Sequence, residues 1–248
     1  MVCKKGAWCL MYHSIIFDDA INTWDDWHLI PSTRPVVNPP EVKTNFLDIP
    51  GGNGSIDATE ALTGYPTYEN RTGSWEFYVA NGYKDWDVAY SDILNYLHGR
   101  RRKAVLEDDL SFYYEGRFSV NEWKSDKIAS LITIDYNVYP YKRNIDSTGE
   151  DWLWDPFDFE TGIINELKAL AVDGSLEVTV INRQEHVVPT ITVSGTGSNN
   201  MTLTFNNKEY SLVPGKNVNG YIVLQPGENT LKFTGNGTVT IDYRGGSL

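Results

Sequence analysis

The sequence predicts a mainly β protein of two domains, with an α+β first domain that carries one helix and an all-β sandwich behind it. Apolar and polar residues alternate through most of the chain, as in half-buried strands, and a helical period appears only once. All eight Trp lie at or before Trp154, while the chain beyond it is rich in Tyr, Val, Thr, Asn and Gly. That shift towards strand and turn residues indicates two domains, for which 248 residues suffice.

The first third of the chain predicts extended structure. Residues 20–40 hold four prolines, which excludes a helix and favours an extended arm or an edge segment. Val42–Ile49 is predicted to be a strand that ends at the turn-rich segment Pro50–Gly54, and Trp75–Ala80 a second strand.

One stretch changes period. Asp85 is a suitable N-cap, and Gly99 a stop signal followed by the cations Arg100–Arg102, which a helix C-terminus favours. The apolar residues between them recur at helical spacing: Trp86, Ala89, Tyr90, Ile93, Leu94 and Leu97. The sequence therefore predicts a helix over residues 85–98.

Strands resume directly afterwards. Lys103–Glu107 and Phe112–Val120 flank Asp108-Asp109 and predict a hairpin. Ile128–Tyr139 alternates with a period of two and predicts a half-buried strand. One helix across several antiparallel strands makes an α+β domain, which we place at residues 11–143.

The remainder predicts a connector and a sandwich. Residues 144–160 are irregular, acidic and aromatic, which favours a packed connector. Residues 161–248 contain short alternating runs separated by turn signals such as Gly235-Asn236-Gly237, a pattern typical of an all-β sandwich. The predicted strands are Leu176–Ile181, Thr190–Val193, Met201–Phe205, Tyr210–Val213, Tyr221–Leu224, Thr230–Phe233 and Thr238–Tyr243.

The charge excludes some functions. The net charge is −12, and both halves of the chain are acidic, so neither favours phosphate binding by counterion release or adhesion to an anionic membrane. No run of about 18 apolar residues is present. Neither specific nucleic-acid binding nor a membrane partner is expected.

The N-terminal residues predict neither a disulfide that stabilises a domain nor an export signal. The two cysteines, Cys3 and Cys9, lie too close to the start to cross-link either domain, which favours a reducing compartment. No small-residue cleavage site follows, so a signal peptide is not expected. If Met11 is the natural start, residues 1–10 are an unstructured leader; the intact mass of protein made from the native gene tests that hypothesis.

The sequence contains few motifs that indicate catalysis or the binding of a cofactor or metal. The sequence has no Gly-x-Ser-x-Gly, P-loop, His-Glu-x-x-His or Cys-x-x-Cys motif, and its four histidines are scattered. We therefore predict no catalytic residue, no cofactor and no metal. Asp108-Asp109 is interpreted as a solvated turn pair. Trp152 and Trp154 are either an aromatic plug between the domains or a sugar contact.

Arg100, Arg101, Arg102 and Lys103 form the one basic run. It could be a nucleic-acid patch, a helix C-terminus, or an intersubunit clamp in which four cations on one face meet an acidic face of a neighbour. For the clamp we predict that reversing Arg100, Arg101 and Arg102 to Glu weakens assembly and leaves the monomer folded.

An ordered set of short motifs resembles a known family. The set includes Asp48, Pro50, Gly51, Gly54 and Asp57, then Gly116 with Arg117, then Pro140, which are interpreted as family-motif turns. In order and spacing it resembles the distal tail protein (Dit) family of siphophages, which also occurs in prophages and in phage-tail-like bacteriocins of Gram-positive bacteria. The resemblance covers about residues 11–248.

This resemblance implies a tail-tube-like β-barrel or sandwich with one flanking helix, followed by a galectin-like sandwich. It implies a structural protein, not an enzyme: six copies in a ring that joins the tail-tube protein to tail-tip or tail-associated proteins. The second domain could dock a receptor-binding protein. The expected location is the virion tail tip, assembled in the bacterial host cytoplasm.

Two other functions remain open at this point. One is a carbohydrate-binding module or accessory lectin that uses Trp152, Trp154 and the sandwich; the other is a glycoside hydrolase. The last domain has neither Trp nor a complete His…Asn-x-Arg constellation, so docking of another tail protein is favoured over sugar binding. A ring predicts six times the chain mass in light scattering, which the alternatives do not.

Overall fold

The computed structural model describes residues 12–79, 86–125, 130–145, 167–195 and 200–248. The chain divides into two compact units, Met1–Pro140 and Tyr141–Leu248. Most described residues lie in strands, and one helix is present among them. The predicted mainly β class with a single helix in the first part is confirmed. The predicted leader (1–10) and most of the predicted connector (144–160) lie outside the described residues.

The described residues of unit 1 form nine strands and the helix. Their bounds are β1 Ile15–Phe17, β2 Ile21–Asn22, β3 Leu29–Pro31, β4 Phe46–Asp48, β5 Ser55–Asp57, β6 Arg71–Val79, α1 Trp86–Leu97, β7 Arg100–Leu106, β8 Phe112–Ser125 and β9 Ser130–Val138.

Seven of these strands form an antiparallel sheet in the order β2-β1-β7-β8-β9-β6-β3. Its inner face alternates as the sequence predicts: on β9, Ile132, Ile134, Tyr136 and Val138 are all buried. Strand β3 ends at Pro31 on the sheet edge. The proline-rich residues 32–41 that follow it form neither strand nor helix. That matches the predicted extended segment.

The helix covers this inner face. Ala89, Ile93 and Leu97 are buried at the predicted helical spacing. Gly99 ends the helix with φ +70°, a conformation that suits glycine, and its N–H donates to the carbonyl of Phe118 in β8. Strand β7 begins at the next residue, Arg100, so the basic run lies in a strand. The interpretation of this run as the C-terminus of the helix is therefore wrong.

Strands β4 and β5 form a separate two-stranded hairpin, which we call the arm (Phe46–Asp57). Its turn holds Pro50, Gly51 and Gly54, as predicted, and both glycines have φ +77°. The predicted strand Val42–Ile49 is shorter than expected, because only its last part finds a partner strand.

In unit 2, eight strands are present among the residues that the structure describes. Their bounds are β10 Lys142–Asn144, β11 Leu170–Asn182, β12 Thr190–Ser194, β13 Met201–Phe205, β14 Lys208–Leu212, β15 Gly215–Val218, β16 Gly227–Asp242 and β17 Gly246–Ser247.

Strand β16 organises this unit. It pairs with β11 along one edge, and its other edge pairs first with β13 and then with β12. Leu231 and Phe233 before Gly235, and Val239 and Ile241 after it, belong to one buried cluster. The two halves of β16 therefore line one core within a single six-stranded sheet of β11 to β16.

The predicted turn Gly235-Asn236-Gly237 is wrong, because these residues continue β16. Three positions on the inner face are glycines and carry no side chain: Gly235, Gly237 and Gly174, which pairs with Gly235. Glycines on the inside of a bend let two long strands fold over at a corner. A Cβ on Gly235 would lie 3.1 Å from the Cα of Met201.

Two further expectations in unit 2 are wrong. Tyr221–Leu224 is not a strand; only Leu224 forms an isolated bridge, to Val187. Conversely, Gly215–Val218 lies outside the predicted strands but forms the edge strand β15 against β12. The Asn217 side chain bonds three backbone groups within Val213–Asn217 and so supplies the turn contacts itself.

Candidate assembly surfaces

The basic run in β7 divides between two faces of the sheet. Successive strand side chains point to opposite sides, so Arg100 and Arg102 share one face and Arg101 and Lys103 share the other. The expectation of four cations on one face is therefore wrong. The interface role of the four residues remains a prediction, but they cannot act there as one group.

Arg102 is held inside unit 1. Its guanidinium donates to Asp18 Oδ2 at 2.8 Å and, through Nε and Nη2, to the carbonyl of Tyr96 at 3.1 and 2.9 Å. It also lies 4.1 Å from the centre of the Tyr96 ring. Arg102 thus satisfies a carbonyl of the last helical turn and stabilises the contact between α1 and the β1–β2 turn.

Arg101 points the other way, beside Arg117. The two are register partners across β7 and β8, and Arg101 is 3.0 Å from Glu115 Oε1. The Arg101 side chain is 67% exposed, against 21% for Arg102. These residues line an open cleft of about 410 Å³, which we call the basic cleft; its lining is Asn70, Arg101, Glu115, Gly116, Arg117, Asn137 and Tyr139.

The arm has no core of its own. Phe46, Leu47 and Ile56 are 57, 52 and 55% exposed, and Ile49 beside the turn is also exposed. Register pairs Leu47 with Ile56 on one face, and on the other Phe46 with Asp57 and Asp48 with Ser55. The arm therefore has an apolar face and an acidic face that carries one Phe.

The charge of the arm is all negative. Between Phe46 and Asp57 the chain has two carboxylates, Asp48 and Asp57, and no cation. Two hydrogen bonds from Thr59, through its side chain and its backbone N–H, lower the pKa of Asp57 from its ordinary value, so this exposed carboxylate is charged at neutral pH.

A buried arginine fixes the chain that leads to the arm. Arg71 Nε donates to the carbonyl of Pro140 at 2.6 Å and Nη1 to that of Asn38 at 3.2 Å. Desolvation lowers the pKa of Arg71, although nearby Tyr114 and Tyr136 raise it. Local pattern does not predict this role, because Arg71 precedes the predicted strand Trp75–Ala80.

Asp108 is not the solvated turn acid that the sequence suggested. It accepts hydrogen bonds from His13 Nδ1 at 2.9 Å and from Arg34 Nε at 2.7 Å. Partial burial alone would raise its pKa, but the bonds from Arg34 and His13 outweigh burial and lower it. The carboxylate ties two distant segments to the β7–β8 turn and acts as a structural group.

The remaining predicted residues fall in different settings. Asp48 and Asp57 end the two arm strands, and Pro140 lies in a bend. Gly116 and Arg117 are not in a turn, because β8 continues through both. A strand was predicted there, and the tight approach of β9 to Gly116 explains the glycine. Trp152 and Trp154 lie outside the described residues.

The described residues offer little for small-molecule chemistry. No group of three or more His, Cys, Asp or Glu among them is placed to hold a metal ion. In the same ranges no helix is long and apolar enough to cross a bilayer. Unit 2 has a polar cleft of about 460 Å³ whose lining, from Glu177 to Lys232, contains no aromatic residue, so a sugar ring would find no stacking partner in it.

Comparison with solved structures finds a similar fold along nearly the whole chain. The crystal structure of the SPP1 Dit (gp 19.1) protein matches with a TM-score of 0.55 and 13% sequence identity, over 95% of this chain and 99% of that one. That protein is described as a paradigm of the hub adsorption apparatus in phages that infect Gram-positive bacteria. At this identity the similarity concerns the fold.

No protein-family model matches the sequence. No curated protein matches it either.

Proposed function

We propose that this chain is a structural subunit of a phage or prophage tail tip. Six copies of unit 1 close into a ring that joins the tail-tube protein to tail-tip or tail-associated proteins. Unit 2 docks a further tail component, such as a receptor-binding protein. The chain has no catalytic role in this function and no cofactor.

One observation carries the proposal: the fold similarity to a phage hub protein extends over 95% of this chain and 99% of that one. It therefore includes both units and not a single common module. A β-sandwich alone would support many functions, since one fold hosts many sites. The order of motifs in the sequence points to the same protein class.

The surfaces of unit 1 support assembly. A ring subunit needs two different surfaces that complement each other, because a head-to-tail contact closes a ring. Unit 1 has two such surfaces. One is the arm with its exposed side chains, and the other is the basic cleft.

Mass measurement and imaging test this function together. Light scattering of the full chain, alone and with its tail-tube and tail-tip partners, should detect a species of six times 28.1 kDa. Antibody labelling of native particles should mark the tail tip. A chain that stays monomeric with every tail component supplied, or labelling elsewhere on the particle, would contradict the proposal.

A further inference from the structure

The arm and the basic cleft carry opposite charges and are both open to solvent in the single chain. Asp48 and Asp57 lie on the acidic face of the arm with Phe46 between them. Arg101 and Arg117 line the basic cleft. We propose that the acidic face of the arm of one copy docks in the basic cleft of the next copy. This inference rests on the proposed function and names the contact that closes the ring.

The spacing of the two surfaces agrees. Arg101 and Arg117 are cross-strand partners, which places their Cβ atoms roughly 5 Å apart. Phe46 and Asp57 are also cross-strand partners, and Asp48 follows Phe46 by two residues on the same face, about 7 Å along the strand. Asp48 and Asp57 are therefore diagonal neighbours, about 7–8 Å apart, a distance that two long arginine side chains can span while the Phe46 ring enters the cleft. In the single chain Arg101 pairs with Glu115 and Arg117 donates to the carbonyl of Gly99, and each guanidinium keeps further N–H donors.

We assign the basic cleft to the arm of a second copy because the arm is exposed and carries the opposite charge. A phosphate chain is a poor alternative, because each of its successive charges would meet Glu115 beside Arg101, whereas the arm brings only two carboxylates together with apolar side chains. Carboxylates between apolar residues suit arginines better, and the arm supplies them without a competing cation. Every copy carries both surfaces, so one contact repeats around a ring.

Phe46 supplies the apolar part of the contact. More than half of its side chain is exposed in the single chain. Among the residues that line the cleft, Tyr139 offers a ring and Arg117 a flat guanidinium, on which an aromatic side chain can stack. Buried aromatic and arginine residues are the side chains that contribute most at protein interfaces.

Charge reversal tests the contact. The arm variant, Asp48→Lys with Asp57→Lys, and the cleft variant, Arg101→Glu with Arg117→Glu, should each raise the concentration needed for half-assembly by at least about tenfold. Mixed in equal amounts they should assemble again, because each reversed surface then meets its complement on the other variant. Phe46→Ser should weaken assembly without any change of charge.

The controls separate the two proposals. Lys208→Glu with Lys216→Glu reverses two cations in unit 2 and should leave assembly unchanged. Circular dichroism should show every variant folded, because the altered side chains are exposed. If the wild-type chain never assembles, the proposed function fails. If it assembles and the arm and cleft variants assemble equally well, or their mixture stays monomeric, the docking contact is wrong and the function stands.

Discussion

Two antiparallel ribbons of this chain have the same alternating pattern and opposite surroundings. In unit 2, β11 and β16 pair over thirteen positions, and the inner residues of β16, such as Phe233 and Val239, are fully buried. In unit 1, the arm pairs over three positions, and its Phe46, Leu47 and Ile56 are all more than half exposed. Pairing and alternation form a ribbon in both cases, but only the first has a core.

This difference separates what stabilises one chain from what joins several. A two-stranded hairpin is marginal in water unless its apolar face packs against something. The ribbon of unit 2 packs its inner face into the apolar core of the same unit. The arm has no such partner among the described residues of its chain, so its apolar and acidic side chains are available to another molecule.

Phenylalanine truncation should show the largest contrast. Phe233→Ala leaves a cavity in the core of unit 2 and should lower the free energy of unfolding by about 3–5 kcal/mol. Phe46→Ala should change it by less than about 0.5 kcal/mol, because that side chain is exposed in the single chain. Urea unfolding at a concentration where the protein is monomeric measures both; equal losses would contradict the comparison.

Glycine substitution should show a smaller contrast. Gly235 has φ +130° and a close neighbour, so Gly235→Ala should cost about 2 kcal/mol. Gly54 in the arm turn also has positive φ but no atom near its Cβ position. Gly54→Ala should cost less than about 0.5 kcal/mol in global unfolding, because the arm can open locally. Thermal melts of both variants check this order.

The two adjacent arginines give the next contrast. Arg102→Glu removes the arginine donor from Asp18 and from the Tyr96 carbonyl and adds a repulsive charge beside Asp18, so it should destabilise the monomer by about 1–2 kcal/mol. Arg101→Glu should cost less than about 0.5 kcal/mol, because its ion pair is largely exposed. A triple reversal that includes Arg102 should therefore lower the stability of the monomer by about 1–2 kcal/mol, mostly through Arg102, and leave it folded; chemical denaturation measures the loss.

Alkaline pH should give the smallest effect. Burial raises the pKa of Tyr96, Tyr114 and Tyr136 in unit 1, so the fold favours their neutral phenols. The resulting stabilisation is complete below about pH 10, the ordinary tyrosine value, and is lost as pH rises through the higher folded values. Urea midpoints should stay constant up to about pH 10 and fall above it, and less so in Tyr96→Phe.

The fold was largely predictable because its signals are local. The helix from Trp86 to Leu97 and the strand from Met201 to Phe205 follow from period and bounding residues. The bend at Gly235 was read as a turn, since Gly-Asn-Gly does not reveal whether a chain reverses or continues through a corner. The long partner β11, which decides this, lies more than fifty residues away in sequence.

The candidate surfaces were less predictable. The run Arg100–Lys103 was interpreted as a nucleic-acid patch, a helix C-terminus or a clamp with four cations on one face, whereas it lies in β7, whose period of two divides it between two faces. Arg117 gains its role from register with Arg101, which no local pattern encodes. The arm looked like an ordinary strand, because alternation does not state whether a core lies beneath it.

Disulfide trapping tests the central claim most directly. In a Cys3→Ser and Cys9→Ser background, Asp57→Cys with Arg117→Cys places one thiol on the arm and one at the basic cleft. Under mild oxidation, non-reducing gels should show a ladder of cross-linked chains that ends at six. Cross-links confined to single chains, a ladder that stops at two, or one that continues past six would contradict a closed ring joined through the arm.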